Sequence, residues 1–131
     1  PLIGPDIVLF SSGFVVKRPR TGRRIPWHED SAYWTQILSR PAVITVWLAL
    51  DDSDTENGCM RVIPGSHLHQ GDWTYEAEDD GAVFNAGIVP STLNLDRAVD
   101  FELRRGEISV HDLMCPGFGG LGLLDSVMLL R

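Results

Sequence analysis

Residues 42–50, Ala42-Val43-Ile44-Thr45-Val46-Trp47-Leu48-Ala49-Leu50, carry the strongest structural signal in the chain. The run is β-branched and almost wholly apolar, and it lies between Pro41 and the acidic stretch 51–58. It is too short to cross a membrane and lacks the polar stripe of a surface helix, so it predicts a central strand buried on both faces. Downstream, residues 51–58 read as a solvated loop closing on Asn57-Gly58, a strong turn signal. Residues 59–63 read as a further strand and Pro64-Gly65-Ser66 as a turn. Upstream, 6–10 and 13–17 read as two short strands separated by Ser11-Ser12. Residues 25–33 begin extended, because Pro26 disfavours helix at Ile25. Residues 34–39 read as a helical turn before Pro41. Residues 72–81 are acidic and irregular, and 82–97 are weakly patterned. Residues 98–103 and 107–111 read as strands on either side of a turn at Arg104-Arg105-Gly106. Many short strands with turn punctuation and little helix predict a mainly all-β sandwich or barrel.

The bulk numbers narrow the function. A length of 131 residues allows one domain. Hydrophobic residues at 44% and charged residues at 22% exclude a disordered or collagen-like chain. Eighteen acidic against eleven basic residues give a net charge of -7, which argues against nucleic acid and anionic membrane as partners. Cys59 and Cys115 do not make a disulfide scaffold or a zinc site, and two reduced thiols fit a cytoplasmic protein. No apolar run reaches spanning length, and no signal peptide opens the sequence. The start at Pro1 suggests a fragment, a processed product or an expression form. Against the acidic background, Lys17, Arg18, Arg20, Arg23 and Arg24 form a basic loop, either a solvated surface feature or an anion site.

The sharpest chemical feature is Trp27-His28-Glu29-Asp30. In an extended segment residues i and i+2 share a face, so His28 and Asp30 can reach one metal ion. They supply two members of a 2-His-1-carboxylate triad, a donor set that suits non-haem Fe(II). The third ligand must be a histidine from a distant strand. Glu29 points the other way and reads as a surface or supporting group. His67 and His69 form a second candidate pair. Trp47 reads equally as core or pocket wall, and Cys59 as a small buried hydrophobe. Asp79-Asp80 read as solvated, and Arg61 as a strand-face arginine paired with the acidic loop rather than a contact for a substrate anion.

The ordered blocks PWHEDSAYW (26–34), TVWLALDD (45–52), ENGCMRVIPGSH (56–67) and GEISVHD (106–112) resemble the phytanoyl-CoA dioxygenase family of Fe(II)/2-oxoglutarate-dependent oxygenases. The resemblance covers about residues 1–112. It implies a double-stranded β-helix, the cupin-like jelly-roll, with His28 and Asp30 as the first two iron ligands. Lys17 falls where the family often has a lysine facing 2-oxoglutarate, and Trp47 where a tryptophan lines the cosubstrate pocket. The implied cofactors are Fe(II) and 2-oxoglutarate, and the implied partners are O2 and a small-molecule substrate. The implied reaction hydroxylates a small organic or acyl-type substrate while 2-oxoglutarate is decarboxylated to succinate.

The pattern departs from the family after His111. The family's distal histidine, in a His-Gly-Ser type motif, belongs five or six residues further on, where this chain has Pro116-Gly117. No histidine follows His111, and Arg131 lies too far along for the carboxylate-gripping arginine. Three explanations stand: His111 is the third ligand in a shifted register, the site is degenerate, or the 113–131 tail comes from a frameshifted or truncated reading frame. The last two together are the expectation from sequence. Residues 1–131 then form a single, incomplete jelly-roll with an atypical tail, prone to oligomerise through exposed edges. Two further function classes follow: a catalytically degenerate jelly-roll binding module, and a cupin-like isomerase or lyase using His28, His67 or His69.

Overall fold

The computed structural model describes residues 4–18, 20, 22–34, 43–68, 73–79, 81–112, 117–119 and 123–130. The apolar run 42–50 folds as β2, Val43–Ala49, and it is central in its sheet. It pairs on one side with β7, Ile108–Asp112, and on the other with β9, Leu123–Leu130. β1, Val8–Val16, pairs with the far edge of β9. The resulting four-stranded antiparallel sheet has the order β1-β9-β2-β7. A second sheet joins β6, Val99–Phe101, to β3, Met60–Val62, and β3 to β8, Gly117–Gly119. β4, Tyr75–Ala77, and β5, Ala86–Ile88, form a separate hairpin. From β6 onward each strand changes sheet, β6 and β8 in the smaller one and β7 and β9 in the larger. That alternation is the mark of a jelly-roll rather than of a simple meander.

Several strands differ from the sequence reading for physical reasons. The two strands expected over 6–10 and 13–17 are one, Val8–Val16, because the register shift between Leu9 and Ser11 absorbs an extra residue without ending the pairing. β2 is buried on one face only: Val43, Thr45 and Ala49 are buried, whereas Ile44, Val46 and Leu48 are partly covered. Residues 98–103 and 107–111 hold separate strands, but these do not pair with each other. Gly106, with φ of 87°, turns the chain into the other sheet, and its N–H donates to the Ala49 carbonyl at 2.7 Å. The irregular stretches 72–81 and 82–97 contain β4, β5 and two single-turn 3-10 helices, Pro90–Thr92 and Leu95–Arg97. The helical turn falls at α1, Ser31–Trp34, and residues 35–39 of the expected turn lie outside the described residues. The atypical tail supplies β8 and β9, and β9 is an interior strand of the larger sheet.

The segment that precedes the candidate site is anchored twice. Trp27 packs in the core with Ile63, Ile88 and Leu93, and Trp73, Tyr75 and Ala98 lie against them. The Ile88 N–H donates to the Trp27 carbonyl and the Val83 N–H to the Arg24 carbonyl, both at 2.7 Å. The Arg23 guanidinium donates to the Ala82 carbonyl, and Arg24 pairs with Glu78. Two of the five basic-loop cations therefore fasten 22–28 to 78–88, while Arg18 and Arg20 are exposed. On the larger sheet's outermost strands, β1 and β7, large apolar side chains face solvent, Phe14 at 72% and Ile108 at 55% exposure.

Gly87 sits where these segments meet. A Cβ there would stand 2.6 Å from the Pro26 Cβ and 2.5 Å from a Glu78 carboxylate oxygen. Gly87→Ala is expected to destabilise the protein by about 1–3 kcal/mol through overpacking. Urea melts of both forms check this, and an unchanged midpoint would contradict the close approach.

Candidate metal centre and active site

Asp30 is the centre of the site. Its Oδ1 lies 3.5 Å from His28 Nε2, and its Oδ2 lies 4.0 Å from His111 Nε2. The Thr45 hydroxyl donates to Oδ2 at 2.9 Å. His28 and Asp30 arrive together because the chain turns just after them, where the Ala32 and Tyr33 N–H groups donate to the Glu29 and Asp30 carbonyls. Thr45 and His111 arrive from neighbouring strands, paired directly across β2 and β7. Trp47 lies two residues beyond Thr45, on the same face of β2 and opposite Ser109. The sequence favoured a site without a third group, but this pairing sets His111 beside Asp30.

The hydrogen bonds define protonation states. His28 Nδ1 is 2.8 Å from the Pro26 carbonyl, which can only accept. A proton therefore sits on Nδ1, the arrangement common to metal-ligating histidines, and Nε2 faces Asp30. Burial alone would raise the Asp30 pKa. The hydrogen bond and charge of His28, with His111 and the Thr45 hydroxyl, outweigh it and hold the carboxyl below its ordinary range. Burial lowers the His111 pKa against the pull of Asp30, which keeps this imidazole neutral near pH 7. Among the described residues its buried Nδ1 has no hydrogen-bond partner.

In kind, these donors fit a divalent iron ion: two imidazoles and one carboxylate held ionised. In spacing they are loose. Donors at right angles on bonds of ~2.1 Å stand ~3 Å apart, against 3.5 and 4.0 Å here. Among the described residues, no group of three or more His, Cys, Asp or Glu is drawn in tightly enough to hold a metal as it stands.

Around His28 stands an aromatic wall that the sequence did not announce. Phe84 meets the imidazole edge-on at 4.7 Å between centroids and stacks on Tyr33 at 4.8 Å. Tyr33 donates to the Ala86 carbonyl at 3.2 Å, and both rings are partly exposed. Phe84 comes from the weakly patterned stretch 82–97, where one aromatic residue gives no periodic signal.

The remaining candidates lie elsewhere. Lys17 follows β1 and is half-buried, and desolvation lowers its pKa to about 8 against the upward pull of Cys59. Among the described residues no carboxylate pairs with its ammonium, and no hydrogen bond or ion pair joins it to His28, Asp30 or His111. His67 lies in the 3-10 turn Ser66–Leu68, apart from the Asp30 cluster, and His69 lies outside the described residues. Arg61 pairs with Asp100, opposite it on β6, at 2.7 Å, in place of the acidic loop expected from sequence, because the β3–β6 register sets the two side by side. Its Nε lacks an aligned hydrogen bond, so the contact is a partly exposed ion pair. Cys59 is buried, and burial with nearby acids raises its pKa, so it stays a thiol. Cys115 and Asp80 lie outside the described residues, and Asp79 is exposed.

Glu29 corrects the reading of a surface group. It is 3% exposed and accepts from Trp73 Nε1 at 2.9 Å and the Ser31 hydroxyl at 3.4 Å. Trp73 also lines a cleft of about 400 Å³ with Ser66, Thr92, Asn94 and Arg97, and none of the Asp30 cluster reaches it. Trp73→Phe is expected to cost about 1–3 kcal/mol, because a buried carboxylate loses a donor. Thermal melts check this, and a loss within error would show that the bond carries no weight.

The profile of the phytanoyl-CoA dioxygenase (PhyH) family matches residues 2–116. "Phytanoyl-CoA dioxygenase domain-containing protein 1" of Danio rerio is 43% identical over 67 residues, covering 50% of this chain and 22% of that protein. "Phytanoyl-CoA dioxygenase" of Arabidopsis thaliana is 32% identical over 117 residues, covering 87% of this chain and 40% of that protein. The crystal structure of EvdO2 from Micromonospora carbonacea var. aurantiaca, complexed with 2-oxoglutarate, superposes with a TM-score of 0.73 at 24% identity. That match covers 95% of this chain and 51% of EvdO2. The chain thus spans between about a fifth and a half of these proteins' lengths. The fold is the cupin-like jelly-roll of 2-oxoglutarate oxygenases. The chain belongs to the phytanoyl-CoA dioxygenase family.

Proposed function

We propose that this chain carries the metal centre of an Fe(II)/2-oxoglutarate-dependent dioxygenase. It hydroxylates a small organic or acyl-type substrate as 2-oxoglutarate is decarboxylated to succinate. The observation that carries the reading is the convergence of His28 and His111 on the two oxygens of Asp30, from separate parts of the chain. These three residues hold the iron. When bound, iron supplies the coupling of O2 reduction to oxidation of a substrate C–H bond. The chain's own residues bind and orient. His28 presents Nε2 because the Pro26 carbonyl fixes the proton on Nδ1. Phe84 and Tyr33 give the substrate an apolar wall and keep water from that side. Lys17 supplies a cation for a cosubstrate carboxylate, and Trp47 lines the cosubstrate pocket. EvdO2, with the same fold, is a 2-oxoglutarate complex, which supports the cosubstrate. O2 and a small molecule are the partners. The acidic charge disfavours nucleic acid and anionic membrane, and among the described residues no helix is long and apolar enough to cross a membrane.

A second reading, a degenerate binding module, draws on the loose donor spacing and on the His111 Nδ1, which has no partner among the described residues. Succinate release from 2-oxoglutarate under air, with Fe(II), separates the two. The oxygenase reading predicts turnover above the no-protein rate, abolished by His28→Ala and by His111→Ala. Turnover in neither wild type nor variant, from folded protein, would favour the module.

Lys17 gives a pH test with a defined sign. Its ammonium is charged below about pH 8 and neutral above. Affinity for 2-oxoglutarate should therefore fall as pH rises through 8, by up to about tenfold per unit. Lys17→Met should be weak and nearly flat across the same range. A wild-type affinity that stays level from pH 7 to 9.5 would remove Lys17 from the cosubstrate site.

A further inference from the structure

We infer that Thr45 is a positioning residue that orients the Asp30 carboxylate toward the imidazoles of His28 and His111. This rests on the metal reading above and extends it to a residue outside the proposed ligand set. Thr45 holds the only hydroxyl in β2, whose other residues are Val, Ile, Trp, Leu and Ala. It is 3% exposed. Valine has nearly the same shape, is equally suited to a strand and needs no partner, so packing alone does not select threonine here. A buried hydroxyl is costly unless bonded, and this one has a bond, to Asp30 Oδ2 at 2.9 Å.

The geometry shows how the carboxylate is held. Oδ2 accepts from Thr45 and lies 4.0 Å from His111 Nε2, while Oδ1 lies 3.5 Å from the Nε2 of His28. A protein donor of this kind fixes the direction in which a carboxylate faces a cation. Thr45 is also the direct cross-strand partner of His111. The backbone that carries the hydroxyl is thus hydrogen-bonded to the strand that carries the third group. Thr45 thus ties Asp30 to the strand that carries His111. Among the described residues the His111 Nδ1 has no hydrogen-bond partner of its own.

The test uses Mn(II) as a probe of the 131-residue chain, by calorimetric titration and by the EPR spectrum of the bound ion. Wild type should bind one Mn(II). Thr45→Val should weaken that binding roughly 10- to 100-fold and alter the EPR spectrum, with the fold kept by circular dichroism. Thr45→Ser, which restores the hydroxyl without the methyl, should recover most of the affinity and the wild-type spectrum. If Thr45→Val does not fold, the comparison moves to Thr45→Ala against Thr45→Ser, with the same order expected. Equal affinity for wild type and the hydroxyl-free variant overturns the assignment and leaves the metal reading intact. A folded Thr45→Ser variant as weak as the hydroxyl-free one also overturns it, because the methyl would then be the active part. No binding by wild type removes the metal reading itself, and the role given to Thr45 with it.

Discussion

Asp30 is a carboxylate taken largely out of water and kept ionised. Removing such a charge from solvent is expensive, and the chain meets the cost with neighbours from three places. His28 comes from the same turn, Thr45 from β2 and His111 from β7. Each contact requires a different part of the fold. The turn after Asp30 needs the anchored 24–28 segment, which is tied to β5 through Ile88 and into the core through Trp27. The Thr45–His111 pairing needs the register of β2 against β7. A one-residue slip in that register would turn His111 to the opposite face and leave Asp30 with two neighbours.

Much of this was legible in the sequence. The run 42–50 identified the central strand, and the His28-Glu29-Asp30 spacing identified two of the three proposed ligands. The four family blocks pointed to the jelly-roll. What stayed hidden depends on long-range pairing. His111 is marked only by its place in a short strand, and its role follows from which residue of β2 it faces. Thr45 sits inside an apolar run, where it looks like one more β-branched residue until its hydroxyl is placed. β4 and β5 are three residues each, too short for alternation to show. β9 reads as a Leu-rich tail because nothing in its composition reveals that strands flank it on both sides. The i, i+2 argument brought His28 and Asp30 together, but the structure uses a turn after Asp30 as well as extended backbone.

The two faces of the His28–Asp30 segment perform different tasks. One presents the donors. The other sends Glu29 inward to Trp73 and Ser31, so a second buried carboxylate secures the same segment from behind. Arg23 and Arg24 secure it laterally through Ala82 and Glu78, which accounts for part of the basic loop without an anion. Lys17 differs from these arginines, being half-buried with no carboxylate partner among the described residues. The loose spacing of the three donors shows where support is weakest: His28 and Asp30 each have a hydrogen bond beyond the three, and the buried His111 Nδ1 has none among the described residues.

The most direct test of this account is a crystal of the chain grown with Mn(II), with anomalous diffraction data. The account predicts one strong peak bounded by His28 Nε2, an Asp30 oxygen and His111 Nε2, at bond lengths near 2.1–2.2 Å, as is typical of such donors. A well-ordered crystal with no peak there, or with the ion held by residues outside this cluster, would contradict it.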